Sequence, residues 1–123
     1  MAHYAHVNTS NANTVTKVIV ISNEEEDVLK SEANVDAFIK SSFGGDGVWI
    51  KTSYNNNLRK NFAGVGYKWD VENNGFWPPR HLFANSFLAN TTTCWYDPPV
   101  PYPYDDTANV YVYDDSSKSW VVD

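Results

Sequence analysis

Cysteine, histidine and clustered acids are the side chains of this chain whose chemistry could build a catalyst or a metal centre. There is a single Cys, Cys94, and the histidines are His3, His6 and His81. A nucleophilic thiol needs a base within reach and an acid to orient that base. No nucleophile elbow or comparable motif surrounds Cys94 or His81. Thr93-Cys94-Trp95 reads instead as a small buried thiol on an aromatic strand. His3 and His6 stand three apart in a strand-like stretch, so they point to opposite faces and make a poor joint zinc site. Asp97, Asp105, Asp106, Asp114 and Asp115 offer oxygen ligands, but without the spacing of a calcium loop; they read as turn-forming, solvated carboxylates. Gly44-Gly45-Asp46-Gly47 lacks the Lys and the Ser or Thr of a phosphate loop, and Gly64-Val65-Gly66 is too short to stand for one. The expectation is a non-enzymatic protein with no cofactor and no metal.

Aromatic residues are the stronger signal, with eight Tyr, six Phe and five Trp in 123 residues. Trp and Tyr combine a large apolar area with a polar tip, which suits small cores, protein interfaces and sugar stacking. The candidate partner-contact residues are Trp69, Trp77, Trp95, Tyr102, Tyr104 and Trp120, with Trp77, Tyr102 and Tyr104 singled out by the prolines beside them. Pro98-Pro99-Val100-Pro101-Tyr102-Pro103-Tyr104 predicts a stiff, polyproline-type stretch that loses little entropy on docking. It reads equally as a binding segment for a neighbour and as a strap over its own domain.

The length makes room for one domain. Nine basic against 15 acidic residues leave a net charge of −6. No cationic cluster suits phosphate neutralisation, so nucleic acid is not an expected partner. No apolar run approaches ~18 residues, so no membrane partner is expected either. Met1-Ala2-His3-Tyr4 lacks the layout of a secretory signal, which predicts synthesis in a cytoplasm. One Cys cannot close an intrachain disulfide.

The elements that must position these residues fall into two halves. In residues 1–54, strands at 3–7 and 15–21 predict a hairpin around the polar turn 8–13. The run Glu24-Glu25-Glu26-Asp27 reads as a solvated loop. One helix is predicted where Val35, Phe38, Ile39 and Ser42 share a face. Ser31 or Asn34 would cap it, and Gly44-Gly45 would stop it in a left-handed conformation. Residues 48–54 return to a strand, which Asn55-Asn56-Asn57 breaks, giving a ββαβ core.

In residues 62–123 a pattern recurs. Tyr67-Lys68-Trp69-Asp70 is followed by Gly75-Phe76, Phe87-Leu88-Ala89-Asn90 by Trp95-Tyr96, and Tyr111-Val112-Tyr113-Asp114 by Ser119-Trp120, all at one spacing. Each unit predicts a hairpin in which Asp or Asn opens the turn and aromatics meet across the strands. Pro78-Pro79 and Pro98-Pro99 close the first two units and block further ladder pairing. The fold class is therefore α+β: a small sheet with one short helix, then three ribbons attached to it, with a Pro-rich strap at 98–104.

These motifs also resemble a family of small proteins encoded by marine tailed bacteriophages, particularly those infecting cyanobacteria. The resemblance rests on Phe43-Gly44-Gly45 leading to Trp49, on Lys51-Thr52-Ser53-Tyr54, and on Arg59-Lys60-Asn61-Phe62-Ala63-Gly64-Val65-Gly66-Tyr67. It continues through Phe76 with Pro78-Pro79, Thr93-Cys94-Trp95, Pro99-Val100-Pro101-Tyr102-Pro103 and Ser119-Trp120, so it covers nearly the whole chain. The chain departs from the family pattern where Cys94 and Trp95 are adjacent and where Phe87 replaces a Trp, which bears on the register of that strand. The resemblance implies a phage origin and a role in the virion, and carries over no catalytic residue. The expected function is a virion structural protein, most simply a head decoration or cement protein, oligomeric in the assembly and in contact with the major capsid protein or tail components. The alternative is a tail or tail-fibre module that binds host-surface glycans through exposed aromatics.

Overall fold

The computed structural model describes residues 1–123 as an α+β fold. Strands β1 (Ala2–Asn8) and β2 (Thr14–Ile21) form the expected antiparallel hairpin, with a bulge between His6 and Val7. Strand β3 (Val48–Thr52) pairs with the other edge of β1 and stops two residues short of the expected end. Strand β1 is paired along both edges and is also covered on both faces. Ala2 and Tyr4 join Ile21, Val35, Ile39 and Trp49 in one core, while Ala5 and Val7 join Val15, Ala63 and Phe76 in a second.

Two helices, not one, connect β2 to β3. Helix α2 (Glu32–Phe43) is capped by Ser31, whose hydroxyl accepts from Asn34 N at 3.1 Å, and it lays Val35 and Ile39 on the sheet. Gly44 and Gly45 end it at φ values of 73° and 100°, a region that L side chains avoid. The acidic run expected as a loop is helix α1 (Asn23–Leu29). Ser22 caps it by accepting from Glu25 N at 3.1 Å. Glu24, Glu25 and Glu26 then fall in the first turn, where the helix dipole favours negative charge. The acids that suggested solvation are thus at the end of a helix that suits them, and the order is ββααβ rather than ββαβ.

The boundary expected between core and ribbons is also crossed by the sheet. Strands β4 (Lys68–Asp70) and β5 (Gly75–Trp77), the first of the repeated hairpins, extend it to five strands in the order β3-β1-β2-β4-β5. The junction is Thr14 opposite Lys68, reinforced where Val15 N donates to the Tyr67 carbonyl at 2.8 Å. The other two hairpins, β6 (Leu88–Asn90) with β7 (Trp95–Asp97) and β8 (Tyr111–Asp114) with β9 (Ser119–Val122), are separate two-stranded sheets.

All three hairpins share one register: Asp70 opposes Gly75, Asn90 opposes Trp95, and Asp114 opposes Ser119. In each, the last turn residue is left-handed, with φ of 50° at Asn74, 54° at Cys94 and 55° at Lys118. Cys94 therefore sits in a turn rather than on a strand. The adjacency of Cys94 and Trp95 leaves the second hairpin in step with the others.

Candidate functional site: the aromatic hairpins

Each turn-opening residue accepts a bond from within its own turn, from backbone N–H groups at Asp70 and Asn90 but only from a side-chain hydroxyl at Asp114. Asp70 accepts from Asn73 N at 3.1 Å and from Asn73 Nδ2 at 2.7 Å, Asn90 accepts from Thr92 N at 3.0 Å, and Asp114 accepts from the Ser117 hydroxyl at 2.7 Å. Asp70 also accepts from Trp77 Nε1 at 2.9 Å. The hydrogen bonds from Asn73, then that from Trp77, hold its carboxyl below the usual range. Cross-strand aromatic pairs form in two hairpins, Trp69 with Phe76 at 4.8 Å and Tyr113 with Trp120 at 5.1 Å. In the middle hairpin the partner of Tyr96 is Ala89, so that ring turns elsewhere.

It turns into a continuous chain of rings. Trp77 meets Tyr96 at 5.1 Å and Tyr96 meets Phe83 at 5.1 Å; Phe83 approaches Phe87, which meets Tyr113 at 4.8 Å. Tyr113 meets Trp120, and Trp120 meets Tyr102 at 5.0 Å, which contacts Tyr104 at 4.8 Å. Edge-to-face and tilted contacts of this kind add to burial. The rings expected to await a partner are thus mostly spent on linking one hairpin to the next.

The six candidates separate accordingly. Trp77, expected to meet a partner beside its prolines, is buried, as is Pro78. Trp69 is half-buried against Phe76, with the Arg59 guanidinium 5.4 Å from its ring centre. Tyr102 and Trp120 are half-buried against each other. Trp120 Nε1 donates to the Val100 carbonyl at 2.7 Å, and Tyr111 N donates to the Tyr102 hydroxyl at 3.3 Å. Of the two readings of the Pro-rich segment, these bonds make it a strap over β8 and β9. Trp95 and Tyr104 are the exposed candidates, Tyr104 at 80%. Val112 and Val121 oppose each other in β8–β9 and are exposed as well.

Side chains other than the aromatic rings hold this arrangement together. Arg80 lies 4.6 Å from the Tyr96 ring centre and donates to the carbonyls of Ala84, Asn85 and Phe87 at 3.0, 2.8 and 3.1 Å, shaping the loop between the first two hairpins. Asn61 Nδ2 donates to the carbonyls of Phe76 and Cys94, both at 2.9 Å, and of Thr93 at 3.2 Å, joining the second hairpin to the sheet. Asp115 accepts from Ser86 N at 3.0 Å, joining the third hairpin to the loop before the second. Cys94 is buried; that burial, then the Asp70 carboxylate, pushes its thiol pKa up, which is the setting of a structural thiol.

A polar cluster lies where the helices meet the sheet, around a cavity of about 530 Å³. Arg59 makes a two-pronged ion pair with Glu32, 2.8 Å on its NH2 arm, and donates to the Lys51 carbonyl at 2.9 Å. Glu26 accepts from the Tyr4 hydroxyl at 2.7 Å and pairs with Lys51 at 2.7 Å. Burial would raise both carboxyls, but the bonds from Lys51 and Tyr4 to Glu26, and from Arg59 and Lys51 to Glu32, outweigh it and lower them. These pairs clamp α1, α2 and β3 together. His3 contacts Tyr54 and Phe62 while His6 contacts Trp49, so the two imidazoles stay apart. No helix is long and apolar enough to cross a membrane.

Compared with protein-family models, with curated proteins and with solved structures, the chain matches none of them.

Proposed function

We propose that this chain is a non-enzymatic structural protein of a bacteriophage virion, a head decoration or cement protein that acts through protein–protein contacts with the major capsid protein and its neighbours. One observation carries the reading: from Trp95 to Asp123 no residue is buried, although the segment includes Trp95, Val100, Tyr104, Val110, Val112, Val121 and Val122 as exposed side chains. Isolated two-stranded ribbons are marginal in water, and on the last of them Val112 and Val121 stand opposite each other and exposed, an apolar pair suited to being covered by another chain. The resemblance of the motifs to the marine phage family supplies the virion as the place where that covering occurs.

Quantitative mass spectrometry of purified virions tests the proposal. Hundreds of copies per particle are expected for a decoration protein. A handful of copies would sink that reading in favour of a tail or fibre location.

A further inference from the structure

Between the sheet and the second hairpin lies a cleft of about 370 Å³ lined by Asn56, Asn61, Phe62, Tyr67 and Trp95. Its volume is at the small end of the range for ligand clefts, enough for a sugar ring. The lining joins three aromatic rings to two amides and holds no carboxylate, ammonium or guanidinium group. Aromatic rings offer faces to the C–H surface of a sugar, while side-chain amides supply paired donors and acceptors for its hydroxyls.

The lining is held before any ligand arrives. Asn56 is fixed in a left-handed conformation (φ 59°), with its Oδ1 accepting from Phe62 N at 2.8 Å. Asn61 is fixed through Nδ2 by three carbonyls. Phe83 meets the Trp95 indole edge-on at 5.2 Å, yet Trp95 stays 37% exposed. The unused halves of these groups are Asn56 Nδ2, Asn61 Oδ1 and Trp95 Nε1, none of which bonds within the chain. No fully buried side-chain polar atom outside the exposed residues lacks a partner, so Asn61 Oδ1 is not completely buried. Two donors and one acceptor on residues already immobilised lower the entropic cost of binding.

We propose that this cleft binds the ring of a neutral saccharide, stacked on Trp95 and hydrogen-bonded by Asn56 and Asn61. The site is independent of whether the chain decorates a head or a tail. The test uses the full-length chain and the indole N–H signals of its ¹H–¹⁵N spectrum, titrated with maltose, lactose, cellobiose and N,N′-diacetylchitobiose, and separately with glucose 6-phosphate. At least one neutral disaccharide should move the Trp95 signal saturably, with a dissociation constant on the order of 1 mM, and leave the Trp120 signal in place. Trp95→Ala should weaken that binding by about tenfold or more. Silence of the Trp95 signal with all four sugars overturns the proposal, as does a response to the phosphorylated sugar alone. The wild-type titration decides the matter even if Trp95→Ala loosens its hairpin, and a negative result leaves the copy-number prediction untouched.

Discussion

The thiol of Cys94 fills the space that a side chain on Gly75 would need: a Cβ at Gly75 would lie 2.5 Å from Sγ and 2.6 Å from Lys60 Cγ. The second hairpin thus seats its turn on the first through the absence of a side chain. Lys60 meets that position with the root of its side chain, Cβ and Cγ, so neither neighbour yields without a shift. Gly75→Ala should destabilise the chain by about 1–3 kcal/mol, read as a lower midpoint in urea. Cys94→Ala should cost less in the Gly75→Ala background than in the wild type, and additivity of the two changes would refute the contact.

Arg59 ties Glu32, the Lys51 carbonyl and the Trp69 ring into one unit from a largely buried position, its side chain 18% exposed. Arg59→Ala should lower stability by roughly 2 kcal/mol, less than a fully buried pair because Glu32 stays partly hydrated. Arg59→Lys should recover little, since an ammonium cannot reproduce the two-pronged geometry. Chemical denaturation of the two variants checks both statements.

Acid should unfold the protein through its bonded carboxylates. Glu26, Glu32, Asp70, Asp106 and Asp115 are all held below their ordinary values. Between the folded and unfolded values the unfolded chain binds more protons, so stability rises with pH there. This stabilisation is complete above the unfolded carboxylate range, about pH 4, and disappears as pH falls through the lower folded values. Tm should therefore drop steeply below about pH 4; a Tm that rises with acid in this window would contradict the assignment.

Tyr104 and Trp120 should behave as opposites although both are aromatics of the strap region. Tyr104→Ala should leave the unfolding free energy within about 0.5 kcal/mol and weaken attachment to the particle, measured by co-sedimentation with virions. Trp120→Phe removes the donor to the Val100 carbonyl while keeping a ring. It should make the strap at 98–104 more sensitive to limited proteolysis, and unchanged cleavage would dissociate the strap from that bond.

The hairpins were legible because their signal is local. An Asp or Asn five residues before the returning strand specifies turn and register together, and it recurs unchanged at Asp70, Asn90 and Asp114. The junction of Thr14 with Lys68 was not legible, because pairing across more than fifty residues leaves no local trace. Helix α1 was masked by its own cap: acids at a helix start and acids in a loop look the same until Ser22 is recognised as the capping residue. The partner-contact residues were legible only as a class. Whether a Trp beside Pro-Pro is buried, as Trp77 is, depends on Asp70 and Tyr96, which reach it through the fold. Arg80 and Asn61 act on backbone carbonyls, which carry no sequence signal.

With no residue buried beyond Cys94, each hairpin leans on the one before it: the third on Ser86 and Phe87, the second on Gly75 and Asn61, the first on the sheet. Such a relay gives the chain a direction of unfolding. Amide hydrogens should exchange first in β8 and β9, next in β6 and β7, and last in β1, so the C-terminal third opens while the sheet stays closed. A segment that opens so readily by itself has the most order to gain from a neighbour that closes over it.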